Sequence, residues 1–484
     1  MIKSILQFQK KGVKDLEKIF EDYSTDLTKV AEMIQGVTKN VVELGCSMIA
    51  EEWEFYDTEL RNRRELRKEW EIIRCDQVSR LTSLGEVTYK RTYYKNKKTG
   101  ERRYLLDDLM GFAPKERMTE DAVARILDEA ADSSYHKGGD NVCISEQSVS
   151  KESVMNKIHQ LRFPELKHTE EKRKVKILYI DADEDHVSLQ YLKKKGDIRE
   201  SDNNTFMPRL VYVYEGVNTE NKRHELINVK YFGGGYRGTQ GVKKLWKEVY
   251  DYISEAYDED YLEKIYVSGD GAGWIEKGAE IHAKAMFVLD KFHMQKYIIK
   301  ATSHLKDSAE DARSEIWKAI NGRHKKEATE IFDRIMDATK SESKKGTVEA
   351  SKNYIIGHWK AIMKGVKNRQ DNIHCSAEGH VSHVFSDRLS SRPLGWSVVG
   401  ADKMAHLRVY KMNGEDMLEL VRYQRQELPL AAGDEERISS AKDVLKSERK
   451  NRENLGDIAD LPWYTIPYPQ IKKIAGLRSQ IWGL

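Results

Sequence analysis

The residues of this chain most able to do chemistry are carboxylates that directly follow apolar, β-branched segments. Asp181 and Asp183 end the apolar part of the segment at 174–193. A Gly-Asp-Gly sequence at 269–271 ends a second apolar segment. An unpaired carboxylate is costly to bury, so its presence on a core strand indicates a cation or a reacting group. The alternatives are a strand that ends in an acidic turn and an ordinary glycine turn around Asp270.

A third carboxylate, Glu378, opens a helical pattern late in the chain. The apolar face of that helix comprises Val381, Val384, Phe385 and Leu389. A glutamate in a first helical turn can simply complement the helix dipole. The polar residues that follow it are His380, His383, Arg388 and Arg392. This polar set is too rich for a purely structural helix, and we therefore interpret Glu378 as a candidate site residue.

The order of the predicted elements decides whether these acids can meet. A first strand begins near residue 175, carries Asp183 and has a pattern that continues to residue 192. The elements that follow are strands at 209–217 and 225–234, a helix at 241–257, a strand at 263–275, a short helix, a strand at 285–290 and a further helix. This is the element order of the α/β ribonuclease H-like fold. In that fold, acids on the first and fourth strands lie side by side, and Asp183 and Asp270 hold those positions.

A cluster of basic residues lies on a predicted β-hairpin between residues 84 and 106. The cluster includes Lys90, Arg91, Lys97, Lys98, Arg102 and Arg103. It suits a polyanion, and an ordinary solvated face is the alternative. The tyrosines of this hairpin are expected to pack on the sheet in preference to stacking on bases. Helical segments at 119–135 and 149–161 follow the hairpin and form a helix-turn-helix-like pair.

Composition limits the class of protein. The chain has 484 residues, 39% of them apolar, and a formal net charge of only +3. The four cysteines form no CxxC pair, which argues against a zinc finger and a disulfide framework. The first residues contain no signal-peptide core, and no window approaches the ~18 consecutive apolar residues of a membrane span. The sequence therefore predicts a soluble, cytoplasmic protein without membrane partners.

Several segments together resemble a known family of proteins. They are LYIDADEDHVSLQ, VSGDGAGWI, VLDKFHMQKY, SAEGHVSHVFSDRLSSRPLGWS, LGEVTYKRTYY and YLLDDLMGF. In this combination the chain resembles the ISLre-type bacterial insertion-sequence transposases, which are related to the Mutator-like group of DDE transposases. The resemblance implies an acidic, metal-binding triad at Asp183, Asp270 and Glu378. It also implies auxiliary roles for Asp290 and His293, which match the family's (C/D)xxH signature.

The choice between Asp181 and Asp183 is open, because both point to the same side of a strand. We prefer Asp183, since the family pattern has an aspartate followed four residues later by a β-branched residue, here Val187. Asp181 is then a supporting acid. His293 could orient an acid, contact a phosphate or assist proton transfer, and a packed, hydrogen-bonded histidine is the alternative.

The resemblance implies metal-dependent chemistry on DNA. Three carboxylates suit two Mg²⁺ or Mn²⁺ ions, which would support hydrolysis at the ends of an insertion element and 3′-OH strand transfer into target DNA. Arg388, Arg392 and the basic hairpin are candidates for DNA contacts. The expected partners are terminal inverted repeats, target DNA and further copies of the chain, in the bacterial nucleoid. The alternatives are a ribonuclease H-like nuclease or resolvase, and a catalytically silent DNA-binding protein derived from such an element.

The sequence predicts six parts in chain order. They are a helical region at 1–80, a hairpin and helix-turn-helix-like DNA-binding region at 81–168, the first part of the catalytic core at 169–300, an all-helical insertion at 301–373, the final core helix with Glu378 at 374–414, and a C-terminal helical extension and tail at 415–484.

Overall fold

The computed structural model describes most of the chain up to residue 426. The described residues are 2–165, 171–190, 205–218, 225–371, 373–391 and 395–426. They form two compact units, one containing residues 2–122 with 143–147 and the other containing residues 123–142 with 148–425. The predicted tail beyond residue 426 lies outside the described residues.

The first unit combines helices with a small antiparallel sheet. Its elements are α1 (Ile2–Lys10), α2 (Gly12–Thr25), α3 (Val30–Asn62), β1 (Trp70–Leu81), β2 (Glu86–Asn96), β3 (Arg102–Arg103) and α4 (Leu105–Met110). The prediction of helix up to residue 80 is wrong for β1. Residues of β1 pair one by one with β2, as in Val78 opposite Tyr89, and this pairing outweighs the local helical pattern.

The predicted hairpin of β2 and β3 is present, but the strand that pairs most extensively with β2 is β1, which precedes the predicted hairpin. The turn at 97–101 joins β2 to β3, which pairs over only two residues, whereas β1 pairs along nearly all of β2. Tyr89 and Tyr94 are buried, so the prediction that they pack is confirmed. Asp57 on α3 holds the sheet in place, because its carboxylate accepts hydrogen bonds from the Thr92 backbone N–H (2.8 Å) and hydroxyl (2.6 Å).

The second unit is built around a larger sheet. Its strands are β4 (Ile177–Glu184), β5 (Val187–Ser188), β6 (Thr205–Phe206), β7 (Arg209–Tyr214), β8 (Gly216–Val217), β9 (Leu226–Ile227), β10 (Lys230–Gly234), β11 (Lys264–Gly269) and β12 (Ala285–Leu289). Five of them form one mixed sheet in the order β10-β7-β4-β11-β12. β7 is antiparallel to both neighbours, while β4, β11 and β12 are parallel. The predicted α/β fold with a mixed five-stranded sheet is confirmed.

The helices after α4 follow in chain order. They are α5 (Glu120–Asp132), α6 (Tyr135–Asp140), α7 (Lys151–His159), α8 (Gly238–Ala256), α9 (Gly273–Ala279), α10 (Lys291–Thr302), α11 (Ala309–Asn321), α12 (Lys325–Ala338), α13 (Glu342–Gly357), α14 (Trp359–Lys367), α15 (Ala377–Val381), α16 (Asp387–Leu389), α17 (Val398–Met412) and α18 (Met417–Gln426). α8 buries Leu245, Trp246 and Val249 in the core beside the sheet, as its apolar spacing predicts.

The long segment before Glu378 is helical, as predicted, and forms α11 to α14. Residues 123–142 and 148–168 fall in the sheet unit as far as they are described, whereas the sequence groups residues 81–168 together. The six-part division as such stays a prediction. None of the described helices is both long and apolar enough to cross a membrane.

Candidate active site

Strand register puts the predicted acids on one face of the sheet. Asp181 on β4 lies opposite Ser268 on the parallel strand β11. Side chains alternate along a strand, so the residue two positions further along each strand points to the same face. On β4 that residue is Asp183, while Asp270 directly follows Gly269, the last residue of β11. The sequence-predicted pair is therefore brought to the same edge of the sheet.

Asp183 is partly buried next to other charged groups. Burial raises the pKa of the Asp183 carboxyl to about 6, with a further upward contribution from Asp270 and an opposing one from His293. The Glu184 backbone N–H donates to Asp183 Oδ1 at 2.9 Å. A cation bound beside Asp183 and Asp270 would relieve the repulsion that Asp270 exerts on the Asp183 carboxylate.

Asp290 and His293 form a pair beside these aspartates. Asp290 is 6% exposed and caps α10, with Oδ1 accepting from the Phe292 backbone N–H at 3.0 Å. Its Oδ2 lies 3.0 Å from Nδ1 of His293. This hydrogen bond is the main cause of a raised pKa of His293, to which Asp183 and Asp270 also contribute. The structure thus brings the predicted auxiliary residues to the aspartate pair.

The turn after β11 requires its glycines. Gly271 has a φ of +93°, and a Cβ there would lie 2.6 Å from Nε2 of His358. At Gly269 a Cβ would lie 2.8 Å from the backbone oxygen of Ala182 on β4. The close approach of these strands and the left-handed turn hold Asp270 at the strand end, as the sequence predicts.

Tyr354 is a site residue that the sequence reasoning missed. Its hydroxyl donates to the backbone oxygen of Asp270 at 2.5 Å. Burial raises the pKa of Tyr354, and the aspartates add to that rise, so the hydroxyl stays protonated. Tyr354 lies on α13, far from the acids in sequence, and no local motif marks it.

Asp181 is fully buried and fully engaged. Its Oδ2 accepts hydrogen bonds from the Tyr212 hydroxyl (2.8 Å) and the Ser376 backbone N–H (3.0 Å), and the Tyr214 hydroxyl oxygen lies 3.3 Å away. Burial raises the pKa of the Asp181 carboxyl to about 7, against the effect of these donors. Asp183 is the more accessible of the two acids, which favours it as the ligand, although this choice stays a prediction.

Glu378 lies in the first turn of α15 and is exposed. Within the described part of the chain, no three His, Cys, Asp or Glu side chains are grouped closely enough to hold a metal ion. The structure therefore pairs Asp183 with Asp270 but does not bring Glu378 to them as a third ligand. The aspartate pair by itself fits Mg²⁺, which proteins bind through one or two carboxylates together with waters and substrate phosphates.

Arg388 requires a correction. It is 6% exposed, and its Nε donates to the Ala130 backbone oxygen at 3.0 Å. Its guanidinium lies 4.8 Å from the ring centroid of Trp396 and 5.5 Å from that of Tyr135. A contact with DNA needs an exposed guanidinium, so the structure gives Arg388 a packing role instead. Arg392 lies outside the described residues.

The basic residues of the hairpin differ in their exposure. The exposed ones are Lys90, Lys97, Lys98 and Arg102. Arg91 forms an ion pair with Asp107 and is largely buried. Arg103 is half-buried, and its Nε lies 2.6 Å from a carboxylate oxygen of Glu101. The exposed residues stay candidates for DNA contacts. Lys98 also forms an ion pair with Glu69, with its Nζ 2.7 Å from Oε1, and Arg91 and Arg103 have acidic partners of their own.

Comparison with known proteins gives the family. The model of UPF0236, described as an uncharacterised protein family, matches residues 24–427. The chain belongs to the UPF0236 family. A UPF0236 protein of Caldanaerobacter subterraneus subsp. tengcongensis is 36% identical over 417 residues, covering 86% of this chain and 85% of the relative. A UPF0236 protein of Streptococcus gallolyticus is 25% identical over 359 residues, covering 71% and 75%.

Among solved structures, this UPF0236 chain matches the Drosophila P element transposase strand transfer complex. The match has 10% sequence identity, covers 65% of this chain and 82% of that chain, and has a TM-score of 0.24, which is too low to bear on the fold. The resemblance of this UPF0236 chain to the ISLre type stays a prediction.

Proposed function

We propose that this protein is a DDE-type DNA transposase with a ribonuclease H-like catalytic domain. The observation that carries the proposal is the sheet order together with the position of Asp183 and Asp270. In chain order the main strands are β4, β7, β10, β11 and β12, so their order in the sheet is 3-2-1-4-5. This order makes the first and fourth strands central neighbours, which the predicted fold requires for its first two acids.

The proposed chemistry is hydrolysis at element ends followed by strand transfer. Bound Mg²⁺ or Mn²⁺, with two ions expected, would supply a Lewis acid that activates water and the 3′-OH and stabilises the leaving oxygen. Asp183 and Asp270 would hold these ions, and Glu378 is the proposed third ligand. Asp290 accepts a hydrogen bond from His293, so the imidazole is held in place and favoured as a cation beside the aspartates. A cation at that place would bind a phosphate oxygen of DNA.

The first unit is the proposed DNA-binding part. Lys90, Lys97, Lys98 and Arg102 present exposed charges on or beside β2 and β3. Phosphate contacts of this kind provide affinity and orientation without reading sequence. The proposed partners are the two terminal repeats of an element and the target DNA. Because two ends are processed together, we propose that the protein acts as a homo-oligomer in the nucleoid.

A joining assay separates this function from its alternatives. The substrate is a duplex from the boundary of the DNA segment that encodes the chain, supplied with a pre-cleaved 3′ end and a plasmid target in Mg²⁺. A transposase joins that end to the plasmid. A nuclease or resolvase cleaves an intact boundary duplex but joins nothing, and a silent DNA-binding protein only retards the duplex in a gel. Either of the last two results overturns the proposed function.

A further inference from the structure

A row of tyrosines lies on the sheet face that carries the acids. We define the tyrosine row as Tyr179, Tyr212, Tyr214 and Tyr266. Tyr179 lies opposite Tyr214 on one side and Tyr266 on the other, and its ring centroid is 5.3 Å and 6.0 Å from theirs. Tyr212 lies opposite Asp181. The row therefore borders the acidic edge on the same face of the sheet.

The hydroxyl groups of this row all bond to one short segment, residues 371 and 373–376, which leads into α15. Tyr266 donates to the Asp371 carboxylate, Tyr179 to the Asp371 backbone oxygen (2.5 Å), Tyr214 to the His374 backbone oxygen (2.7 Å), and Tyr212 lies 3.0 Å from the Ser376 hydroxyl. The segment thus crosses the sheet face from β11 to β7. Each hydroxyl of the row thereby has a hydrogen-bond partner, as buried polar groups require.

Charged groups fix the two ends of this segment. At its start, Nζ of Lys264 lies 2.7 Å from Oδ2 of Asp371. At its end, Asp181 Oδ2 accepts from the Ser376 backbone N–H at 3.0 Å and from the Tyr212 hydroxyl at 2.8 Å. Hydrogen bonds between ionised groups are about twice as strong as neutral ones, which favours the Lys264–Asp371 end, while two donors hold Asp181 at the other end.

We propose that the tyrosine row and Asp181 form a clamp that holds the start of α15 on the sheet face and thereby sets the distance between Glu378 and the aspartate pair. Asp181 is then a positioning residue, and the clamp decides where α15 begins. Glu378 follows Ser376 by two residues, while Asp183 follows Asp181 by two residues on β4, about 6.6 Å further along the strand. A ligand displaced by 1 Å can cost about a hundredfold in rate, so such a position needs a rigid support. This inference rests on the proposed function of Glu378.

The test compares two Tyr→Phe variants that each lose one buried hydroxyl. Tyr214→Phe removes the bond to His374, and Tyr250→Phe removes a bond to the Gly278 backbone oxygen (2.9 Å) in the same unit but away from the clamp. The first readout is hydrogen–deuterium exchange of the amides of residues 376–381 in the full chain without metal. The second is the Mg²⁺ concentration that gives half-maximal cleavage of a boundary duplex.

We expect Tyr214→Phe to speed exchange of these amides by about tenfold, the equivalent of one hydrogen bond. We also expect it to raise the half-maximal Mg²⁺ concentration, while Tyr250→Phe changes neither. Tyr179→Phe, which loses the bond to Asp371, should repeat the Tyr214→Phe result. A general loss of stability would instead speed amide exchange to the same extent in all three variants.

The clamp is overturned if exchange at residues 376–381 is the same in Tyr214→Phe and Tyr250→Phe. It is also overturned if exchange is faster in Tyr214→Phe than in Tyr250→Phe but the two variants need the same half-maximal Mg²⁺ concentration. If the wild-type protein never cleaves DNA in Mg²⁺, the proposed function fails and the positioning of Glu378 for metal fails with it. In that case faster exchange in Tyr214→Phe still shows that the row holds the segment, so the two failures are told apart.

Discussion

Replacing Asp183 by asparagine should stabilise the metal-free protein at neutral pH. Burial raises the pKa of Asp183 to about 6, from an ordinary value of 3.8. The folded state therefore binds this proton more tightly than the unfolded state does. Ionising Asp183 costs stability, a cost that is complete above pH 6 and absent below pH 3.8. Each pKa unit corresponds to ~1.4 kcal/mol, so the cost at pH 8 is about 3 kcal/mol.

Asparagine carries no charge at any pH and keeps an oxygen for the Glu184 backbone N–H that bonds Asp183 at 2.9 Å. Urea unfolding without divalent metal should therefore show Asp183→Asn more stable than wild type by about 3 kcal/mol at pH 8. The advantage should shrink steadily as the pH falls from 6 towards 4. Asp260→Asn, the same change at an exposed aspartate, is the control and should alter stability little at either pH.

Two results would refute this reasoning. One is that Asp183→Asn is no more stable than wild type at pH 8, because burial and repulsion would then not lower the stability of the protein with an ionised Asp183. The other is an advantage that persists at pH 4, which would assign the gain to packing and not to charge. Added Mg²⁺ should stabilise wild type more than the variant, because only wild type offers both carboxylates.

Three further outcomes are expected. Asp57→Ala should destabilise the first unit by about 3 kcal/mol in thermal or urea unfolding, because Thr92 loses two hydrogen bonds to a buried carboxylate. Replacing Lys97 and Arg102 together by glutamine should lower the slope of log DNA affinity against log salt by about 2, as measured by fluorescence anisotropy. Gly271→Ala should cost ~1–2 kcal/mol of stability, because its φ of +93° strains an alanine, and should slow Mg²⁺-dependent cleavage.

Each of these outcomes has a matched control and a contradicting result. Asp15→Ala on α2 should leave stability nearly unchanged, and an equal loss in both aspartate variants would contradict the role of Asp57. Replacing the exposed Lys325 and Lys326 by glutamine removes the same charge from α12 and should leave the salt slope unchanged. Equal slopes in both double variants would contradict a DNA-binding hairpin. Gly346→Ala on α13, where a Cβ meets nothing within 4 Å, should be tolerated, and an equally tolerated Gly271→Ala would contradict the strained turn.

The main sheet could be predicted because its strands are marked locally. β7, β11 and β12 are β-branched apolar runs bounded by turn residues, and the glycines around Asp270 mark a strand end. Such runs are typical of strands buried on both faces. The predicted strand at 263–275 was too long, since β11 ends at Gly269 and α9 follows. The left-handed turn at Gly271 explains that difference.

Tertiary contacts explain what the sequence missed. β1 carries charges between its apolar residues, and only its pairing with β2 makes it a strand. Arg388 lies on a short helix that the sequence suggests is exposed, but Trp396 and Ala130 enclose it. The role of Asp181 depends on Ser376, nearly two hundred residues away in the chain. No local pattern reports such partners, which is why Asp181 and Asp183 could not be separated by alternation.

The most direct test of the central claim is single-turnover cleavage of a boundary duplex in Mg²⁺ by wild type and by Asp183→Asn and Asp270→Asn. Metal-assisted charge stabilisation is worth several kcal/mol, so each variant should be at least about 100-fold slower while still binding the duplex. Cleavage at the wild-type rate by either variant would contradict the account, because the aspartate pair would then not be the catalytic centre.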